Sequence, residues 1–277
     1  MIELLGFPFM RRALLAALLT GLMAPAIGTY IVQRRLSLLG DGLGHVAIAG
    51  VGLALLTGQA PIPVAVAVCV VGAVVVEVLR QLGKATGDVG LAILFYGGLA
   101  AGVLMSGIAG AGAGALSGYL FGSLTTVTPA DLVLVGVLAL VVLVPSIGLA
   151  PQFFAVCSDE EFARTQGLPV RFYNVLIVVL AAVTVSLAMR TVGLLLVSAL
   201  MVVPVAAAQN LVRGFYAALA CAMVVGVLVA VGGAVGSFYA DTAPGALIVV
   251  LAIAVFALSW PLSKLRDLSR QPPVSLR

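Results

Sequence analysis

Apolar runs of roughly 18 residues or more recur from one end of this chain to the other, and nothing else constrains its fold as strongly. Each run is long enough to cross ~30 Å of hydrocarbon as a helix. Of the 277 residues, 63% are hydrophobic and only 9% charged, and the mean hydropathy is +1.27. A soluble domain carries roughly 25% charged residues, so this chain cannot cover itself with a water-compatible surface. The expectation is an all-α, polytopic transmembrane helical bundle forming one domain over residues 1–277.

Charge and Pro/Gly turns bound the runs at about 12–33, 36–57, 61–80, 89–107, 131–150, 172–189, 191–211, 214–237 and 243–262. That gives about nine spans, eight or ten depending on the N-terminal helix and residues 108–130, which are too glycine-rich and polar for a clear span. The first run continues to Val32 without a cleavage site and is too long for a signal h-region, so it reads as a retained helix. Pro204 is expected to kink or break its helix. Glycine, 32 residues in all, is spread through the runs, which suits close helix packing in lipid.

Orientation follows from the basic residues. If residues 151–171 are cytoplasmic and the spans alternate, that side receives Arg34, Arg35, Arg80, Lys84, Arg164, Arg171, Arg213, Lys264, Arg266, Arg270 and Arg277. Only Arg11, Arg12 and Arg190 fall on the other side. The excess of Lys and Arg marks the cytoplasmic face and also accounts for the net charge of +4 without invoking nucleic acid. Three cysteines, Cys69, Cys157 and Cys221, form no C-x-x-C pair and give neither a disulfide framework nor a zinc knuckle.

No P-loop occurs. The nearest stretch, "QLGKATG", lacks the upstream glycine and has Ala85 after Lys84. G-x-S-x-G and H-E-x-x-H are also missing, so enzymatic activity is not expected. Chemistry concentrates instead in "SLLGDGLGH" (37–45), which holds the only histidine. Asp41 and His45 are four residues apart and so share a helix face, with Ser37 a possible polar neighbour one turn back. An ionisable group near mid-span costs roughly 2.5–3.5 kcal/mol on insertion scales, and normally faces a bundle interior or an aqueous path. Carboxylate with imidazole also suits a first-row divalent metal. The same pair could act as a proton relay in a secondary transporter, or merely pin two helices through an Asp–His hydrogen bond. A second motif, "SDEEFARTQGLPVRF", reads as a short capped helix: Ser158 as N-cap, Asp159, Glu160 and Glu161 in the first turn, Arg164 within it, and Gly167 then Pro169 ending it.

"RRLSLLGDGLGHVAIAGVGLALLTG" closely resembles the sequence block of the permease subunits of zinc- and manganese-type ABC importers. Arg35, Ser37, Leu38, Gly40, Asp41, Leu43, His45, Gly50 and Gly52 fall on the family pattern; Gly42, Gly44 and Ala49 depart from its Ala, Ser and Pro. "DEEFARTQGLPV" is similar to the family's cytoplasmic loop, and "TVGLLLVSALMVVPVAAAQNLVR" to a later block. The resemblance implies a multi-pass subunit in the bacterial cytoplasmic membrane, usually a homodimer with the path at the dimer interface. A separate ATP-binding subunit would dock on residues 157–168, and an extracytoplasmic metal-binding protein would deliver the ion. Asp41 and His45 would handle the metal, zinc first with manganese and iron next, as cargo rather than cofactor. Asp159, Glu160, Glu161, Arg164 and Gly167 would form the ATPase-coupling segment, and 264–277 a basic cytoplasmic tail.

Overall fold

A computed structural model describes residues 7–83, 87–122, 128–191 and 193–268. The later part of the basic tail, with Arg270 and Arg277, lies outside the described residues, as does Lys84. Among the described residues the regular structure is helical throughout. In chain order the helices are α1 (Pro8–Gln33), α2 (Leu39–Thr57), α3 (Pro61–Gln81), α4 (Gly87–Ile108), α5 (Gly112–Phe121), α6 (Pro129–Gly148), α7 (Ala150–Ser158), α8 (Glu160–Thr165), α9 (Val170–Thr191), α10 (Leu194–Leu211), α11 (Phe215–Ala240) and α12 (Pro244–Leu268).

Eight of these are long and apolar enough to cross a membrane. The ninth long helix, α10, has 18 residues and spans roughly 27 Å at 1.5 Å per residue. The nine long helices match the nine expected runs one for one. Among the described residues between α4 and α6 the one helix is the ten-residue α5, too short to add a span. Pro204 lies inside α10, and the helix runs through it unbroken.

Helix starts follow local chemistry. Proline opens α1 and α3, where its missing N–H costs nothing. At α6, Thr128 and Asp131 close a reciprocal capping box ahead of Pro129. The end of α1 is less ordinary. Arg35 N–H bonds Val32 O and Leu36 N–H bonds Ile31 O, with Arg35 in the left-handed region at φ 58°. This is a Schellman turn with arginine where glycine usually sits.

Helices α1, α2 and α9 form the centre of the bundle and bury 72–78% of their apolar windows, against 22–28% for α3, α4, α6 and α12. The outer helices therefore present apolar faces suited to lipid. Association in lipid depends on close packing rather than on apolar burial as such, and the α1–α11 crossing shows it. A Cβ added at Gly21 would lie 2.7 Å from the carbonyl oxygen of Gly226, whose own missing Cβ would strike Gly21 in return.

Two ends of the bundle are distinguishable. Gln33 meets Gln209, Arg213 and Phe215 around one cavity, and beside it Arg34 and Arg80 meet Glu160. At the opposite end Phe9 and Met10 meet Asp241 through Pro244. All described basic side chains assigned above to the cytoplasm belong to the first end.

Candidate functional site

Helix α2 begins at Leu39, three residues later than the apolar run suggests, and this moves the site. Asp41 sits in its first turn, where the helix dipole favours a carboxylate. His45 is the seventh residue of the helix, nearer the α8 end than mid-span. Ser37 lies in the turn before α2 and so is not on the helical face of the pair.

The neighbour that replaces Ser37 comes from far along the chain. Ser198 of α10 donates its hydroxyl to Asp41 Oδ1. A lone serine in "LLLVSALMVVP" was the only sequence signal for it. His45 is 7% exposed, and its ring stands 4.0 Å from that of Phe95 on α4, at 63°. Its Nδ1 is buried with no hydrogen-bond partner. No hydrogen bond or ion pair joins Asp41 to His45, so the Asp–His lock considered from the sequence is not formed. The imidazole is thus left with an unused lone pair or proton, which normally carries a cost of about 1–3 kcal/mol.

Asp41 faces a cavity of about 270 Å³ between α2 and α4, lined by Leu38, Leu91, Ala92, Phe95 and Tyr96. Tyr96 is 70% exposed, so the cavity opens at the outer surface of the bundle. The two helices meet closely because Gly98 has no side chain: a Cβ there would come within 2.6 Å of the backbone of His45. Cys69 is no candidate ligand. It is fully buried, and its thiol donates to Leu43 O at 3.3 Å. Among the described residues, no three of His, Cys, Asp and Glu gather as a metal cage. One chain offers one carboxylate and one imidazole.

The second constellation is the short helix α8. Its N-cap is Asp159, whose carboxylate accepts from Phe162 N–H at 2.9 Å. Ser158, expected to be the cap, instead ends α7 and accepts from Gln33 Nε2 at 3.3 Å. An aspartate whose side chain can reach N3 displaces the serine from the role. Glu160 and Glu161 fill the first turn and Arg164 the last, and Gly167 takes the left-handed turn beyond it at φ 79°.

The two glutamates differ sharply. Glu161 is exposed. Glu160 turns inward, 3.7 Å from Arg34, 3.9 Å from Arg80 and 4.0 Å from Arg164, and accepts from Asn174 Nδ2 at 3.0 Å. Behind it sits Glu77, only 2% exposed. Arg80 grips Glu77 with two bonds of 2.8 and 2.9 Å, Gln81 adds one of 3.0 Å, and Arg34 lies at 3.5 Å. In the sequence Glu77 simply stands near the end of the 61–80 run. Its burial is what makes it a structural charge, since stripping a buried pair of one partner costs about 3–5 kcal/mol.

The sequence model of the ABC 3 transport family matches residues 6–262. The chain belongs to that family. The manganese transport system membrane protein MntC of Halalkalibacterium halodurans is 32% identical over 93% of this chain and 88% of its own length. The chelated iron transport system membrane protein YfeD of Yersinia pestis is 31% identical, covering 93% and 86%. The high-affinity zinc uptake system membrane protein ZnuB of Haemophilus influenzae is 28% identical, covering 91% and 97%. Among solved structures, PsaBC from Streptococcus pneumoniae in complex with Fab superposes with a TM-score of 0.86 at 26% identity, covering 96% of this chain and 97% of that one. This chain is therefore a multi-pass member of a membrane transport family.

Proposed function

We propose that the chain is the permease subunit of an ABC importer carrying a divalent first-row transition metal, driven by a separate ATPase subunit that docks on α8. The observation that carries this reading is the partnerless, buried Nδ1 of the only histidine, one turn from a carboxylate that faces an open cavity. Imidazole and carboxylate accept Mn²⁺, Fe²⁺ and Zn²⁺, and the absence of a thiolate from the pair disfavours softer ions. The relatives' names span manganese, zinc and chelated iron, so the expectation of zinc first becomes one member of that class.

The same cavity supports a homodimer. A carboxylate opening between apolar side chains at the outer surface cannot face acyl chains without heavy cost. A second copy seated on the α2–α4 face covers it and brings two carboxylates and two imidazoles to one axis. Two ligands per chain also leave room for release, which a closed four-ligand cage does not. The metal arrives from an extracytoplasmic binding protein at the Phe9–Asp241 end and leaves toward α8 and the cytoplasm.

The test is metal uptake by liposomes holding the complete transporter, with Mn²⁺, Zn²⁺ and Fe²⁺ supplied in competition. Asp41→Asn and His45→Ala should each lower uptake by at least about tenfold, the least that losing even an outer-shell partner of a ligand costs, while the ATPase still co-purifies. Wild-type uptake in the well-folded double variant would leave the pair with a packing role only.

A further inference from the structure

The ion cluster beneath α8 is not used by the reading above, and its placement is unusual. Four side chains from three elements share it: Arg34 at the end of α1, Glu77 and Arg80 in the last turns of α3, and Glu160 in the first turn of α8. At the exposed rim Arg164 adds a third cation, 4.0 Å from Glu160. Arg34 is the cluster's hinge. Its side chain is 4% exposed, and one nitrogen, Nη2, stands 3.5 Å from Glu77 and 3.7 Å from Glu160. Its other terminal nitrogen has no partner.

The chain beyond Arg34 leads straight to the candidate metal site. The Schellman turn at Arg35 fixes the exit from α1, and α2 begins at Leu39, two residues before Asp41. A non-glycine residue held left-handed makes this turn a stiff joint rather than a slack loop. Displacement of α8 is thus carried by Glu160 to Arg34, and through a short turn to the ligand-bearing end of α2. Glu77 holds Arg34 on its other side and sets the rest position.

We propose that Arg34 and Glu77 are positioning residues that couple the ATPase-docking helix to the Asp41–His45 site. This rests on the reading that α8 docks an ATPase. The guanidinium, poised nearly equidistant between two carboxylates, can exchange partners as α8 moves while keeping charge paired throughout. A merely structural cluster would hold α3 to α1 with no effect on how much metal moves per ATP.

The ratio of metal imported to ATP hydrolysed is therefore the readout, measured on the complete transporter in liposomes. Arg34→Gln should lower that ratio by about tenfold, within the 5–150-fold range of ordinary coupling energies, with the ATPase still bound and hydrolysing. Glu77→Gln, which keeps the size of the side chain and removes only its charge, should lower it several-fold. Arg34→Lys retains the charge and should restore most of the ratio. A wild-type ratio in assembled Arg34→Gln and Glu77→Gln complexes overturns the proposal. Loss of the ATPase from Arg34→Gln complexes would make the cluster a docking contact and also overturn it. Should Arg34→Gln fail to fold, the near-isosteric Glu77→Gln alone decides: a lowered ratio supports the proposal, and a wild-type ratio overturns it. If the wild-type chain itself binds no ATPase, it is the functional reading that falls.

Discussion

The Nδ1 of His45 has no hydrogen-bond partner, while Asp41 is already engaged by Ser198, and this asymmetry separates the two proposed ligands. The serine hydroxyl holds one carboxylate oxygen of a residue that lines the cavity. Its proposed role is to aim the carboxylate, not to bind the ion. Ser198→Ala keeps the Cβ, which already packs 3.1 Å from where a side chain on Gly40 would begin, and removes only the donor. It should raise the metal concentration for half-maximal uptake by about tenfold, the smaller end of what losing an orienting hydrogen bond costs a metal site. Maximal uptake rate should change by less. An unchanged concentration dependence would show that Ser198 only satisfies a buried carboxylate.

At the level of helices, the site depends on how closely α4 lies against α2. Gly98 and Gly97 are adjacent yet opposite in environment: a Cβ at 98 would meet the His45 backbone at 2.6 Å, and one at 97 would meet nothing. Gly98→Ala must push α4 from α2, at about 1–3 kcal/mol for overpacking, and displace the imidazole. It should lower the detergent-solubilised melting temperature and uptake together, whereas Gly97→Ala should leave both at or above wild type; equal effects would refute the close-approach argument. These elements were unequally legible in the sequence. The nine long helices were plain because hydropathy is summed over whole runs. The start of α2 was misplaced because "SLL" is apolar in either state, and only the Schellman turn at Arg35 delays the helix. The cap of α8 was misassigned because Ser158 and Asp159 both satisfy capping chemistry, and the choice depends on which residue ends α7. Ser198 and Glu77 were missed for one reason: their partners are distant in sequence or buried by other helices, and no local periodicity records that.

Over the whole molecule, the two ends of the bundle differ in charge, and this fixes what each should meet. Arg34, Arg80, Arg164, Arg171 and Arg213 share one end with α8, while Asp241 shares the other with Phe9 and Met10. By the positive-inside rule the first end is the one proposed to face the cytoplasm. The native thiols help to test this. Cys157, half-buried beside the ion cluster, has its thiol pushed up to about 12 by burial; Arg34 pulls it back and Glu160 adds to the rise. It is therefore almost wholly protonated at neutral pH, and a thiol reacts through its thiolate. Labelling of Cys157 in opened membranes should be slow at pH 7 and rise about tenfold per pH unit toward pH 9. Against that low background, a cysteine introduced at position 241 should react with a membrane-impermeant maleimide in intact cells. One introduced at the exposed position 171 should react only after the membrane is opened. The reverse pattern would invert the bundle, put α8 outside the cell beyond reach of any ATPase, and bring down the coupling argument with the topology.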